Sequence, residues 1–263
     1  MKNSVAYIVK IGGNIIDDEN KLSHFLKEFA SVPGHKILIH GGGKLATRLA
    51  EQMNIPQQMV DGRRITDSET LKVVTMVYAG YINKTIVAQL QANGCNALGL
   101  SGADGNVIRA HKRINKGIDY GFAGDVDEVN GNLISGLLQQ GITPVLAPIT
   151  HDLQGQLLNT NADTIAQETA RALSSLYEVT LIYSFEKNGV LRLVDDEQSV
   201  IPQINPLLYQ QLKDQQAIFA GMIPKMDNAF NALKSGVKKV IIGKAENIHQ
   251  LLEGHSGTTI INE

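Results

Sequence analysis

The chain has 263 residues, 43% of them hydrophobic, and a formal net charge of −2 from 24 basic and 26 acidic residues. This length can bury one large core, and the balanced charge argues against a nucleic-acid partner because the densest basic segment, 109–113, is short and reads as a solvated loop. A single cysteine, no apolar run near the ~20 residues that cross a bilayer, and no signal-peptide pattern favour a cytoplasmic protein without membrane contact or a cysteine-based metal site.

Short apolar runs alternate with helical patterns along the chain, which predicts an α/β fold built on a mostly parallel sheet. The predicted strands are 5–11, 36–40, 97–100, 143–149, 179–184 and 239–242. The predicted helices are 20–30, 44–53, 67–93, 130–140, 162–173, 206–213 and 222–235. Residues 107–112 and 121–129 are turn-rich and β-prone, and we expect a small antiparallel sheet there. No linker or break in composition divides the chain, so residues 1–263 are predicted to form one domain.

Glycine-rich segments follow the first two predicted strands. The first strand ends in Lys10, followed closely by Gly12 and Gly13, and the second ends in His40, followed by three glycines at 41–43. Glycine at a strand-to-helix turn leaves backbone N–H groups open to a ligand, and such turns bind anions. With the positive charge of Lys10 beside them, these turns predict a site for a phosphoryl group or a carboxylate.

The second glycine segment also fits a dinucleotide-binding fingerprint. Gly41, Gly43 and Ala46 match the spacing G-x-G-x-x-A. Asp61 lies about 20 residues further on, where an acidic residue can hold a ribose. A nicotinamide-dependent enzyme is therefore an alternative. Since that fingerprint normally follows the first strand of the fold, where this chain has its lysine and two glycines, an anion-binding turn is the favoured interpretation.

Three later segments combine charged residues with helix-capping residues. Residues 61–67 read D-G-R-R-I-T-D, in which an arginine can bind a carboxylate with two hydrogen bonds and the last two residues can cap the next helix. Residues 158–163 read L-N-T-N-A-D and place two asparagines and Asp163 after a strand region. Residues 221–225 read G-M-I-P-K, in which Lys225 beside a helix N-terminus makes an anion site.

Taken together and in this order, the five segments resemble the motifs of the amino acid kinase family: K-x-G-G, H-G-G-G, G-R-R-I-T-D, N-T-N-A-D and G-M-I-P-K. The resemblance spans nearly the whole chain and is closest to those members that phosphorylate an N-acylated glutamate. It implies an open three-layer αβα sandwich whose mostly parallel central sheet has about eight strands. It further implies an acylglutamate-binding half at 1–175 and a nucleotide-binding half at 176–263.

The resemblance also implies a reaction and its residues. The γ-phosphoryl group of ATP, with Mg²⁺ held mainly by the nucleotide and no protein metal ligands, would move to the side-chain carboxylate of the acylglutamate, in the second step of arginine synthesis. Lys10 and Lys225 would stabilise the phosphoryl group, Asp163 would position both lysines, and Gly13 and Gly42 would donate N–H groups. The substrate-binding residues would be Gly42, Gly43, Arg64 and Asn159. The nucleotide-binding residues would be Lys10, Gly12, Ser184, Gly189, Gly221 and Lys225.

The chain departs from the family pattern in one loop. Relatives usually carry Thr or Ser, Asp and Val before a glycine in the loop after the sixth-strand region, whereas residues 183–189 read Y-S-F-E-K-N-G, without the aspartate and with one residue more. The sequence therefore does not establish which residues of this loop contact the nucleotide. The first motif lies close to Met1, and by analogy with the family we expect an arginine-insensitive homodimer whose candidate interface is the predicted helix 67–93.

The sequence leaves other functions open. N-succinylglutamate is an alternative substrate, and another member of the fold would act on aspartate, glutamate, carbamate or UMP. The G-R-R and N-T-N motifs argue against those other members. A nucleotide sensor without catalysis is the remaining alternative, although a pure binder has no need to keep both Lys10 and Lys225 together with Asp163.

Overall fold

The computed structural model describes residues 4–60, 63–114, 117–184, 186–193, 196–215, 218 and 222–262. The strands are β1 (Val5–Ile11), β2 (His35–His40), β3 (Gln58–Val60), β4 (Arg63–Ile65), β5 (Ala97–Leu100), β6 (Ile108–Lys112), β7 (Ala123–Val129), β8 (Thr143–Leu146), β9 (Ile149–His151), β10 (Leu157–Thr160), β11 (Glu178–Ser184), β12 (Gln203–Ile204), β13 (Lys239–Gly243) and β14 (Thr258–Ile260). The α-helices are α1 (Gly13–Ile16), α2 (Glu19–Ser31), α3 (Gly43–Gln52), α4 (Ser68–Thr75), α5 (Asn83–Ala92), α6 (Gly131–Gln139), α7 (Ala162–Leu173), α8 (Pro206–Asp214), α9 (Ile223–Lys234) and α10 (Ile248–Glu253).

Eight strands form the central sheet, in the order β12-β14-β13-β11-β1-β2-β8-β5. Neighbouring strands run parallel except for β13 and β14, which pair antiparallel. The predicted mostly parallel sheet of about eight strands is therefore confirmed. Because the carboxyl ends of parallel strands meet at one edge, the turns that follow β1, β2 and β11 lie close together.

Helices cover both faces of this sheet, and strand periodicity decides which residue meets which layer. Successive residues of a strand point to opposite faces. In β1, Ala6 and Ile8 belong to the same buried cluster as residues of α6, α7, α8 and α9, whereas Val9 and Ile11 belong to the cluster with residues of α2, α3, α4, α5 and α10. Lys10 has the same parity as Ala6 and Ile8, so it belongs to the face that α7 and α9 cover.

A second, smaller sheet stands apart from the central one. It closes on itself in the order β10-β7-β6-β9. The predicted antiparallel pairing of 107–112 with 121–129 is confirmed as that of β6 with β7, but β9 and β10 were not predicted. The prediction of one strand over 143–149 is wrong. The chain leaves the central sheet after β8 and enters the small sheet at β9, with Pro148 between them, which cannot donate to a ladder.

The long helix predicted at 67–93 is present, but its middle is π-helical rather than α-helical. Asp67 caps its start by accepting a hydrogen bond from Thr70 N at 2.7 Å. Between α4 and α5 lies a π-helical segment, Met76–Ile82. Nowhere in the described part of the chain does a helix combine the length and the apolar character needed to cross a bilayer.

Candidate active site

Two lysines converge on one carboxylate at the carboxyl edge of the central sheet. Lys10 Nζ lies 2.8 Å from Asp163 Oδ1, and Lys225 Nζ lies 3.4 Å from Asp163 Oδ2. We call these three residues the triad. Their side chains are 12%, 25% and 20% exposed for Lys10, Lys225 and Asp163 respectively. Each is thus largely sheltered from water but still open to a ligand.

Local folding explains why residues so far apart in sequence meet here. Asp163 is the second residue of α7, whose N-cap residue Asn161 accepts a hydrogen bond from Asp163 N at 2.8 Å. Lys225 is the third residue of α9. Since α7 packs on both β1 and α9, the first turns of the two helices flank the end of β1, where Lys10 faces the same layer.

The charges of the triad do not cancel. Burial of the Asp163 carboxyl favours its neutral form, but the ammonium groups of Lys10 and Lys225 outweigh burial and lower the pKa of Asp163 from 3.8 to about 2. Asp163 is therefore ionised at neutral pH, and two positive charges face one negative charge. The surplus positive charge suits an anion that approaches the lysines from solvent.

The glycine turns after β1 and β2 lie side by side. Gly41 N donates a hydrogen bond to Ile11 O at 3.0 Å, which joins the two turns. Helix α1 begins at Gly13 and α3 begins at Gly43, so the first N–H groups of two helices, which have no partners within their helix, open at the same edge. A Cβ added to Gly12 would lie 3.5 Å from Lys10 Nζ, which places this turn against the triad.

Gly42 has a backbone that other residues adopt only with strain. Its φ is +149°, and an added Cβ would lie 2.3 Å from Ile82 Cδ1 and 3.1 Å from Tyr78 Cδ1. The site therefore requires glycine at this position both for conformation and for space. The close packing also means that the peptide groups around Gly42 have little freedom to reorient.

A cavity of about 200 Å³ lies between the β2 turn and the small sheet. All four predicted substrate-binding residues line it, and so do residues at the start of α7 next to Asp163. The lining residues are Gly41, Gly42, Gly43, Met59, Arg63, Arg64, Tyr78, Arg113, Ala123, Gly124, Pro148, Asn159, Thr160, Asn161 and Ala162. The cavity thus reaches the start of α7, next to Asp163, and its surface carries three guanidinium groups.

Arg64 is the most firmly held of these cations. It is 9% exposed, and its Nη2 donates to Gly43 O at 3.0 Å and to Thr47 Oγ1 at 2.8 Å, while Nη1 bonds to Gln57. These bonds fix the guanidinium beside the N-terminus of α3. A ligand carboxylate in the cavity would meet a charge whose position is already set, which reduces the entropy lost on binding.

Arg113 was missed by the sequence reasoning, which treated 109–113 as a solvated loop. That interpretation is wrong, because 109–112 lies in β6 and the Arg113 side chain is only 13% exposed. Its Nε donates to Asp125 at 3.0 Å, and its guanidinium lies 5.7 Å from the Tyr120 ring centroid. A basic run on a strand of a small sheet has no distinct sequence signal.

Tyr183 is a further residue that the motifs did not indicate. It pairs with Lys10 across β11 and β1, and its hydroxyl donates to Asp163 O at 3.4 Å. Burial raises the pKa of Tyr183, and the negative charge of Asp163 adds to this effect, so the phenol stays protonated as a donor. Tyr183 thereby ties the first turn of α7 to the central sheet.

The predicted nucleotide-binding residues beyond the triad and Gly12 have different placements. Ser184 ends β11, next to the strand that carries Lys10. Gly189 is buried, and an added Cβ would lie 2.7 Å from Thr258 Oγ1, so packing alone requires glycine there. Gly221 lies outside the described residues. The nucleotide-contacting role of all three stays a prediction.

Comparison with known proteins agrees with the motifs. The model of the amino acid kinase family matches residues 6–244. An acetylglutamate kinase of Bacteroides fragilis is 57% identical over 242 residues, which cover 92% of this chain and 93% of that protein. An acetylglutamate kinase of Cytophaga hutchinsonii is 55% identical over 258 residues, with 97% and 98% covered.

Solved structures share the fold at much lower identity. N-acetylglutamate synthase of Neisseria gonorrhoeae, complexed with coenzyme A and N-acetyl-glutamate, has a TM-score of 0.83 at 20% identity, with 100% of this chain and 60% of that chain covered. Giardia carbamate kinase has a TM-score of 0.70 at 13% identity, with 100% and 99% covered. At these identities the likeness concerns the architecture alone.

Proposed function

This chain is a member of the amino acid kinase family, and from that premise we propose that it transfers the γ-phosphoryl group of ATP to the side-chain carboxylate of an N-acylated glutamate, the second step of arginine synthesis. N-acetyl-L-glutamate is the expected substrate, because relatives at 55–57% identity over most of the chain carry the name acetylglutamate kinase. The observation that carries the proposal is the meeting of two lysines and one aspartate beside a cavity with a fixed arginine.

The chemistry needs no general base. A carboxylate is already ionised at neutral pH, so one of its oxygens can attack the γ-phosphorus directly. The new bond joins that oxygen to phosphorus, the bond from phosphorus to the β–γ bridging oxygen breaks, and ADP leaves with the electron pair. No proton moves in this step. This accounts for a site built from cations and N–H groups.

The obstacle is repulsion between two anions. At 4 Å and an effective dielectric constant near 20, one pair of like charges costs about 4 kcal/mol. Lys10 and Lys225 supply the opposing charge, and Asp163 holds them in place. We assign N–H donation to the turns at Gly13 and Gly42. Positioning and charge compensation are the two means by which such sites accelerate phosphoryl transfer.

ATP is expected to bring Mg²⁺ with it. Over the described residues, no group of three or more His, Cys, Asp or Glu side chains is placed to hold a metal ion. The Asp163 carboxylate, which lies nearest to the reaction, is already engaged by both lysines. Oxygen atoms of the nucleotide's phosphates are therefore the expected ligands for Mg²⁺, and the proposed substrate is MgATP.

The two substrates would approach the triad from opposite sides. In the proposed division, 1–175 binds the acylglutamate through Gly42, Gly43, Arg64 and Asn159, and 176–263 binds the nucleotide over the carboxyl ends of β11 and β13. The cavity next to Arg64 supports the first half of this division. Lys10 and Lys225 would contact the phosphoryl group from one half each.

N-succinyl-L-glutamate is the second candidate substrate, for a specific reason. Arg63 and Arg113 line the cavity in addition to Arg64, so it offers more positive charge than the α-carboxylate of an acetylated glutamate requires. A succinyl group would bring a further carboxylate. Because Arg113 already pairs with Asp125, the acetyl compound stays the first choice.

A hydroxamate assay tests the proposed function. The purified protein is given MgATP, hydroxylamine and one of three acceptors: free, N-acetylated or N-succinylated L-glutamate. We expect coloured hydroxamate with an acylated acceptor, since hydroxylamine traps the acyl phosphate. The ratio of kcat/KM for the two acylated compounds decides the acyl group. Product from free glutamate alone, or from none of the three, would refute the proposal, as would a hydride-transfer signal with a nicotinamide cofactor.

Assembly and location belong to the same proposal. We place the enzyme in the cytoplasm as a homodimer that meets through the helix formed by α4, the π-helical segment and α5. On this helix Met76 and Tyr81 are large apolar side chains that are 51% and 63% exposed, and β5 at the edge of the central sheet exposes Leu98. Light scattering should give twice the 28.5 kDa of one chain, and Tyr81→Glu should shift the mass toward one chain. A wild-type mass of one chain would refute the dimer.

A further inference from the structure

A chain of hydrogen bonds runs beneath the glycine turn of β2. Lys84 Nζ lies 3.0 Å from Asn83 Oδ1, and Asn83 Nδ2 lies 3.2 Å from His40 Nε2. His40 Nδ1 in turn lies 2.8 Å from Gly41 O. His40 is fully buried and Asn83 is 1% exposed. None of Lys84, Asn83 and His40 has a part in the proposed phosphoryl transfer.

Each bond in this chain has only one possible direction. An ammonium group can only donate, so Asn83 turns its oxygen to Lys84 and its NH₂ group to His40. A carbonyl can only accept, so His40 carries its proton on Nδ1 and donates to Gly41 O, which leaves Nε2 free to accept from Asn83. Along this row the donors therefore point from Lys84 toward Gly41, while Lys84 Nζ also donates to Gly99 O and Asn83 Nδ2 also donates to Val145 O, each at 3.0 Å.

The last bond orients the peptide group between Gly41 and Gly42. In a trans peptide the C=O and N–H bonds point in opposite directions, and no peptide bond among the described residues is cis. Because His40 holds Gly41 O on the buried side, the N–H of Gly42 points away from the core, toward the cavity that both glycines line. We infer that His40 is a positioning residue that aims the Gly42 N–H at the phosphoryl group in transfer.

The direction of these hydrogen bonds also affects how strongly the Gly42 N–H donates. In a row of hydrogen bonds each donor polarises the next one. The charge of Lys84 strengthens the Asn83 donor, which strengthens the His40 donor, and a carbonyl that accepts a strong bond makes the N–H of its own peptide a better donor. A backbone N–H aimed at developing negative charge is the kind of group that accelerates acyl and phosphoryl transfer. The inference rests on the proposed function, because it takes Gly42 as a donor to the phosphoryl group.

The π-helical segment positions Asn83 in the row of hydrogen bonds from Lys84 through Asn83 and His40 to Gly41 O, which we call the relay. Asn83 directly follows Met76–Ile82. The wider turn of a π-helix changes which side of the helix the next residues face, and such turns occur often at functional sites. Tyr78 and Ile82, both within the segment, pack against Gly42 itself. One irregular stretch of helix thus supplies both the polar relay and the apolar packing that hold this turn.

The protonation state of His40 agrees with this role. Burial lowers the pKa of His40 to about 4; the bond to Gly41 O opposes this shift and the charge of Lys84 adds to it. The imidazole is therefore neutral at the pH of an enzyme assay. Neutrality matters, since a protonated ring would present a second N–H to the NH₂ group of Asn83 and break the relay.

Two substitutions of His40 separate positioning from mere packing. In His40→Asn the side-chain amide reaches the place of Nδ1 and can donate to Gly41 O, whereas in His40→Gln it reaches the place of Nε2 and leaves that carbonyl without its donor. We expect His40→Gln to lower kcat by about 10- to 100-fold with the KM values of both substrates nearly unchanged. His40→Asn should recover most of the lost kcat.

Both variants lose half of a buried network, so a merely structural role predicts equal losses of kcat and of thermal stability. That result, or an unimpaired kcat in His40→Gln, would overturn the inference. Lys84→Met tests it at an exposed residue, whose loss removes the donor to Asn83 Oδ1 and to Gly99 O and should therefore lower the melting temperature. We expect kcat to fall about 3- to 10-fold with both KM values unchanged, while Lys27→Met on α2 should have no effect. An unchanged kcat in Lys84→Met would remove the charge from the relay. If the wild-type protein phosphorylates no acylglutamate, the proposed function fails and this inference fails with it.

Discussion

Replacing Lys10 by methionine should lower kcat by about 100- to 1,000-fold and leave the KM of ATP and of the acylglutamate nearly unchanged. The ammonium group lies 2.8 Å from Asp163 at the end of β1, beside the place where the proposed reaction brings the two anions together. Repulsion of about 4 kcal/mol per charge pair corresponds to nearly a thousandfold in rate, so the loss of one compensating charge can account for an effect of this size. Methionine keeps the length and most of the volume of the side chain.

Lys225→Met should follow the same pattern with a smaller loss of kcat. The Lys225 side chain is 25% exposed, against 12% for Lys10, so water screens its charge more strongly. Its ammonium group also lies further from Asp163, at 3.4 Å against 2.8 Å. Steady-state assays of ADP release provide both constants, and Lys27→Met on the exposed face of α2 serves as the matched control. A higher KM at an unchanged kcat would make either residue a binding lysine and would remove it from the chemical step.

Much of the fold could be predicted because its main elements carry strong local signals. The strands at 5–11 and 97–100 and the helix at 162–173 begin and end as predicted. Strands buried on both faces read as unbroken apolar runs, and the helix has an asparagine cap. The elements that were missed are short and depend on their neighbours. The strand β12 has only two residues, and β9 exists because the chain changes sheets at Pro148.

Those residues of the candidate site that lie within a short sequence motif could be predicted. Lysines beside glycine turns and helix starts have a local physical meaning, so Lys10 and Lys225 could be selected from the sequence. The supporting residues could not, because their roles arise from contacts across the fold. Asn83 meets His40 from 43 positions away, and it does so through a π-helical turn that no residue pattern announces. Arg113 is one of several basic residues in its segment until the small sheet closes around it.

Asp163→Asn tests whether the carboxylate acts by holding the lysines or only by stabilising the fold. The substitution keeps the shape of the side chain but leaves the ammonium groups of Lys10 and Lys225 without a counter-ion. We expect kcat to fall by about 100-fold or more because the lysines lose their positions, while the KM of ATP stays the same or decreases because the site gains positive charge. A rise in that KM with normal turnover would contradict the assigned role.

The stability of the same variant has a defined pH dependence. The pKa of Asp163 is about 2 in the folded protein against its usual 3.8, so its contribution to stability is fully present above the higher value and is lost as the pH falls through the lower one. This difference in pKa corresponds to a contribution of about 2 kcal/mol to the free energy of unfolding at neutral pH. Urea unfolding should show wild type more stable than Asp163→Asn by a constant amount from about pH 7 to pH 5, with the gap closing below about pH 4.

The matched control, Glu178→Gln, lies at the opposite end of β11 and is exposed, so its stability should follow that of wild type. If the gap between wild type and Asp163→Asn stayed constant down to the lowest pH at which the protein folds, the ion pairs would not be the source of the stabilisation.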